Sequence, residues 1–101
     1  MDDPLIVTFD AALFAESAVK KAAYTLAATA SVEIRREGTD WICSLRFLRP
    51  TPPAARAEAG ESLRIEVLDQ DLRERIASET AAVRNTILAV AFSRTGLQSD
   101  G

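Results

Sequence analysis

Along this chain the spacing of apolar positions alternates between a period of two and a period near 3.6, and each change marks an element. Leu5, Val7 and Phe9 alternate with Ile6 and Thr8, a pattern that predicts a short strand burying the first three on one face. From about residue 14 to 28 the spacing becomes helical, with Ala15, Val19, Ala22, Ala23 and Leu26 on one side and Glu16, Lys20 and Ala27 on the other. So many alanines make a thin helix that packs close to a sheet, and Lys20 and Tyr24 extend outward from it. "SVEIRR" and "WICSLRFL" return to alternation and are joined by Glu37-Gly38-Thr39-Asp40, which predicts a β-hairpin turning at Gly38. Val32 and Ile34 on one strand, and Trp41, Cys43, Leu45 and Phe47 on the other, form the rows expected to meet the helix.

Pro50, Pro52 and Pro53 end the third strand by about Leu48 and predict a loop over 49–60. Their PxxP spacing also fits a polyproline ligand, although three prolines after a strand end are ordinary loop material. "ESLRIEVLDQ" fits a strand through Leu63, Ile65 and Val67 and a helix through Leu63, Val67, Leu68 and Leu72; the helix-forming Glu61, Arg64 and Glu66 favour the helix. Beyond it Leu72, Ile76, Val83, Ile87, Val90 and Ala91 lie at helical spacing. Asp71-Leu72-Arg73-Glu74 has the form of an acidic capping box, so two consecutive helices are expected over 61–95, with a short tail at 96–101. The expected architecture is α+β in a single domain over 1–101, a three-stranded sheet from strand, helix and hairpin packed with two C-terminal helices. The first strand should run parallel to one hairpin strand, and a sheet so small leaves open edges where a second copy or an extended peptide can add a strand.

Composition narrows the chemistry. The 101 residues carry 48% hydrophobic and 27% charged side chains, as an ordinary soluble globular protein does, and one such domain folds without metal or disulfide support. A net charge of −3 without a basic run argues against nucleic acid. Histidine is absent, which removes the usual general base near neutral pH and a common metal ligand. Cys43 is the single cysteine, so the chain alone can form no disulfide, thiolate zinc site or iron–sulfur cluster. Within its alternating row it reads as a small buried hydrophobe. The acidic start and the lack of an apolar run near ~20 residues point to a cytoplasmic protein with no membrane contact.

Asp69, Asp71, Glu74 and Glu79 invite a reading as a metal or acid–base cluster. Their interleaving with Arg73, Arg75 and Arg84 neutralises them, and the fourfold spacing of Asp69–Arg73, Asp71–Arg75 and Arg75–Glu79 fits a solvated face held by weak pairs of ~0.2–0.5 kcal/mol each. There is no phosphate loop, nucleophile elbow or dinucleotide fingerprint. No catalytic, cofactor-binding or metal residues are assigned.

The stretch "LDQDLRERIASETAAVRNTILAVAFS" resembles the C-terminal signature of the HxsD family of the His-Xaa-Ser system. The resemblance rests on Leu68, Asp69, Leu72, Arg73, Glu74, Ile76, Glu79, Thr80, Arg84, Ala91, Phe92 and Ser93; it departs at Asp71, where the family often has an aromatic, and before Asp69, where the family has an asparagine. The resemblance implies an accessory protein without cofactor, encoded with two radical S-adenosylmethionine proteins and a protein bearing His-Xaa-Ser repeats. Such a subunit would support the maturases or present the repeat peptide to them, with Asp69, Leu72, Arg73, Glu74, Glu79, Arg84 and Phe92 as the candidate partner-binding or motif residues. A structural homodimer, through the open sheet edge or the apolar segment at residues 87–92, is the alternative, and an enzyme in its own right the least supported reading.

Overall fold

The computed structural model describes residues 3–99, with side chains through Ala91. The order is β1 (Leu5–Asp10), α1 (Glu16–Tyr24), β2 (Ala30–Glu37), β3 (Asp40–Phe47) and α2 (Pro53–Ser99). The α+β architecture and the three-stranded sheet expected from the sequence are both present.

The sheet has the order β1-β3-β2 and is antiparallel throughout. β1 therefore points the same way as β2, as the crossover argument requires, but its neighbour is β3, which inserts between them. The hairpin closes on Gly38 at φ 60°, the first central position of a two-residue turn, where a residue without Cβ enters the left-handed region freely.

One face of the sheet carries the core. Val7, Phe9, Cys43 and Leu45 are buried beneath Val19 and Ala22 of α1 and Leu63 and Val67 of α2. Alanines at 18, 22 and 23 let α1 approach closely, and Gly60 does the same for α2: a Cβ there would come within 3.1 Å of Leu5 Cδ2 and 3.7 Å of Val7 Cγ2. At one end Trp41 is nearly buried, donates its indole N–H to the Phe14 carbonyl at 2.8 Å, and lies under the Arg36 guanidinium, 5.1 Å from the ring centroid.

The helices depart from expectation. α1 is shorter than 14–28, because Leu13 and Phe14 donate their N–H groups to the Asp10 carbonyl in the preceding turn and residues past Tyr24 wind into tight turns toward β2. The proline loop is also shorter: Pro53 opens α2, a position where its missing N–H has no partner to lose, and the alanine-rich 54–59 continue as helix. Residues 61–68 are helical. The expected break at Asp71 does not occur; where a cap would bond a backbone N–H, Asp71 instead accepts from Arg75 Nε at 2.8 Å, one turn on. With neither glycine nor proline between residues 61 and 95, a capping signal alone does not interrupt a strong helix former, and the two expected helices are one of 47 residues.

Candidate functional site

The signature residues all lie on α2, but the helix distributes them around its circumference. Asp69, half-buried, accepts from the exposed Arg73 Nε at 2.8 Å. Glu74, about 100° further round, turns toward α1: its Oε1 accepts from the Ser17 hydroxyl at 2.8 Å, and Oε2, shut off from solvent, lies 3.2 Å from Lys21 Nζ in an ion pair without hydrogen-bond geometry. Arg75 adds a second tie, donating to the Leu13 carbonyl at 3.2 Å. Leu72, Glu79 and Arg84 are exposed, and Phe92 and Ser93 lie outside the described side chains. Arg73 and Arg84 share one side about three turns apart, while Glu74 belongs to the seam with α1, so these three do not make one contact face. Nor do the carboxylates converge, since Asp69, Asp71 and Glu74 each face a cation.

Among the described residues of the signature, Glu74 thus has a visible tertiary task, holding α2 onto α1. Glu74→Ala leaves Ser17 and Lys21 without their partner and is expected to lower the unfolding free energy by about 1–2 kcal/mol; a denaturant titration measures it. An unchanged midpoint would show that the tie contributes nothing.

Cys43 has no route to chemistry. It is fully buried between Val7 and Ile34, and burial pushes its thiol up to about 11. At pH 8 iodoacetamide should label it only in denaturant; labelling of the folded chain at the unfolded rate would refute this. The same shift sets a sign. Between the ordinary thiol value near 9 and about 11 the unfolded chain ionises and the folded chain does not, so stability falls as pH rises through that window, a slope that Cys43→Ala removes.

The concavity best placed to take a partner lies elsewhere. β2 is an edge strand, and between it and α1 runs an open groove of about 500 Å³. Its floor is apolar, with Ala23, Ala27, Val32 and Ile34; the exposed Tyr24 and Lys20 stand along one wall and Leu48 closes an end. On the other face of β2 the alternating Glu33, Arg35 and Glu37 form ion pairs of 3.9 and 2.9 Å. Sequence alone shows Lys20 and Tyr24 pointing outward and an edge left open, but not that the two adjoin. The missing signal is the strand order: only with β3 in the middle does β2 become the edge beside α1.

Among the described residues, no helix is long and apolar enough to cross a membrane, and no group of three or more His, Cys, Asp or Glu side chains is placed to hold a metal ion. Comparison with curated proteins and with solved structures returned no match. The family model of the His-Xaa-Ser system protein HxsD matches residues 9–98, a span that takes in the hairpin and both helices as well as the signature on α2. The chain belongs to the HxsD family of the His-Xaa-Ser system.

Proposed function

We propose that this protein is a non-catalytic accessory subunit of its His-Xaa-Ser system, which holds an extended stretch of the repeat peptide along the β2 edge and presents it to the radical S-adenosylmethionine maturases. The observation that carries this reading is the groove between α1 and β2. An edge strand offers unpaired backbone N–H and C=O groups to an extended peptide, and pockets beside it select alternate side chains. Here the backbone of β2 supplies the first and the Ala23, Ala27, Val32 and Ile34 floor the second, with the Tyr24 ring placed to cover an inserted side chain. The ion-paired row of Glu33, Arg35 and Glu37 supports a guarded edge, since charge on an edge strand discourages indiscriminate pairing. A binding role also agrees with the chemistry of the chain: it has no histidine, its single thiol is buried, and the signature carboxylates are engaged with arginine and lysine.

Fluorescence anisotropy with a labelled His-Xaa-Ser repeat peptide tests the proposal. Saturable binding in the micromolar range, equivalent to roughly −8 kcal/mol, is expected, weakened by Tyr24→Ala, a change at a side chain exposed enough to leave the fold intact. Amide exchange in 31–35 should slow when the peptide is added. Binding indifferent to Tyr24→Ala, with protection on α2 instead, would move the peptide away from this edge. Retention of the maturases alone from a co-expression of the whole system would favour direct maturase support over peptide presentation.

A further inference from the structure

The outer edge of β1 is open and uncharged. Ala11 donates its N–H to the Thr39 carbonyl at 2.8 Å, which extends the pairing of β1 with β3 by one residue and fixes its phase. Residues 5, 7 and 9 therefore direct their backbone N–H and C=O groups to β3, and residues 6, 8 and 10 direct theirs away from it. Among the described residues, nothing in the chain bonds the N–H and C=O of Ile6 and Thr8, the N–H of Asp10 or the C=O of Pro4. Ile6 is 48% exposed, Thr8 is exposed, and no charge lies between Pro4 and Phe9. An edge of this kind is a template for another strand. β2 is guarded by Glu33, Arg35 and Glu37, and β1 has no such guard.

We propose that the strand added there is β1 of a second copy of this chain, antiparallel across a two-fold axis at Val7, with Ile6 opposite Thr8 of the second copy and Asp10 opposite its Pro4. The ends of the strand select this partner and register. In an antiparallel ladder, opposed residues whose backbone groups face each other exchange two hydrogen bonds. Ile6 and Thr8 do so fully, in both symmetry-related pairs. At each end Pro4 lacks an N–H, and the Asp10 carbonyl opposite already accepts from Leu13 and Phe14 at 3.1 and 3.0 Å. The bond left to form there runs from the Asp10 N–H to the Pro4 carbonyl. The missing donor thus meets the occupied acceptor, and no backbone group along the seam is stranded. Sliding by two residues either way would set Pro4 against Thr8 or Ile6 against Asp10, and strand an acceptor or a donor.

Charge agrees with the same direction. On the face of the sheet away from the helices, Asp10 and Asp40 are paired at one end, while Arg46, one residue beyond the Leu5 and Leu45 pair, stands at the other. None of the three is in an ion pair among the described residues; Asp10 Oδ1 accepts from the Ala12 N–H at 2.8 Å, which leaves its charge unmatched. The two-fold brings Asp10 within two strand spacings, roughly 10 Å, of Arg46 of the second copy. A long arginine stem crosses that gap, and symmetry repeats the pair. Two three-stranded sheets become one of six strands, antiparallel throughout, with both helical layers on one face. The β2 edges remain at its outer ends, so the dimer stands independently of the peptide reading.

Sedimentation of the full chain tests it. At micromolar concentrations the mass should be twice the 10.9 kDa of one chain. Thr8→Pro removes an N–H that β1 does not use within the chain, so it should return the protein to the single-chain mass while Cys43 stays protected from iodoacetamide. Ile6→Lys, at an exposed position, should do the same. Arg46→Glu should weaken association by about tenfold. Cysteine variants read the register. On oxidation, Ile6→Cys should cross-link to Thr8→Cys in a mixture and neither to itself, since directly opposed residues meet disulfide geometry and diagonal ones exceed it. A single-chain mass at about 100 µM would overturn the proposal. A dimer unaffected by both Thr8→Pro and Ile6→Lys would place the contact away from β1, and cross-linking of Ile6→Cys to itself would rule out this register.

Discussion

Replacing Leu63 by alanine is expected to lower the unfolding free energy by about 3 kcal/mol, within the range for large-to-small changes at fully buried positions. Leu63 has no exposed surface and sits where α2 crosses the sheet, among Val7, Leu45 and Val67. Truncation removes its apolar contacts and leaves a cavity that the surroundings fill poorly, because Gly60, one turn earlier, already holds the helix at contact distance from Leu5 and Val7. A domain of this size has only about 5–15 kcal/mol to lose. Urea unfolding of wild type and variant measures the difference. A loss under about 1 kcal/mol would mean that α2 is not seated on the sheet by this residue.

A loss as large, about 3–5 kcal/mol, is expected for Trp41→Ala, with a different partition. The indole contributes apolar area beside Phe9, its cross-strand partner, and a hydrogen bond to the Phe14 carbonyl that fixes the turn leading into α1. Trp41→Phe separates the two contributions. It keeps most of the area and removes the donor, so a loss of about 1–2 kcal/mol is expected for the carbonyl left unpaired. If Trp41→Phe were as damaging as Trp41→Ala, the bond to Phe14 rather than the packing would dominate. If it were neutral, water would be satisfying that carbonyl.

How far the sequence discloses this molecule depends on the range of the interactions involved. The strands and the hairpin are legible because alternation is local: Val7, Phe9, Trp41, Cys43 and Leu45 declare their buried face by spacing alone, and Gly38 marks the turn. The place of β3 between β1 and β2 is not local, and neither alternation nor handedness of crossover specifies it. The continuity of α2 was obscured by Asp71, whose neighbours spell a cap while its carboxylate turns to Arg75. The candidate groove was half visible, since Lys20 and Tyr24 read as outward from periodicity, but their closeness to Val32 and Ile34 follows from strand order. Conversely, Glu74 reads as one more surface charge until Ser17 and Lys21, more than fifty residues earlier, arrive beside it.

The insertion of β3 between strands that precede it in the chain also governs the sequence of events in folding. Pairing of β2 with β3 closes a two-residue turn, whereas β1 reaches β3 only across α1 and the whole of β2, with Leu5 opposite Leu45. The entropy of closing a loop grows with its length, and contacts distant in sequence slow the search. The hairpin is therefore the element that can stand first, and β1 is the last strand to be gathered in. Until it arrives, the Val7 and Leu5 side of the α2 seat is missing. Mutations at Ile34 should accordingly slow folding, while those at Val7 should mainly hasten unfolding.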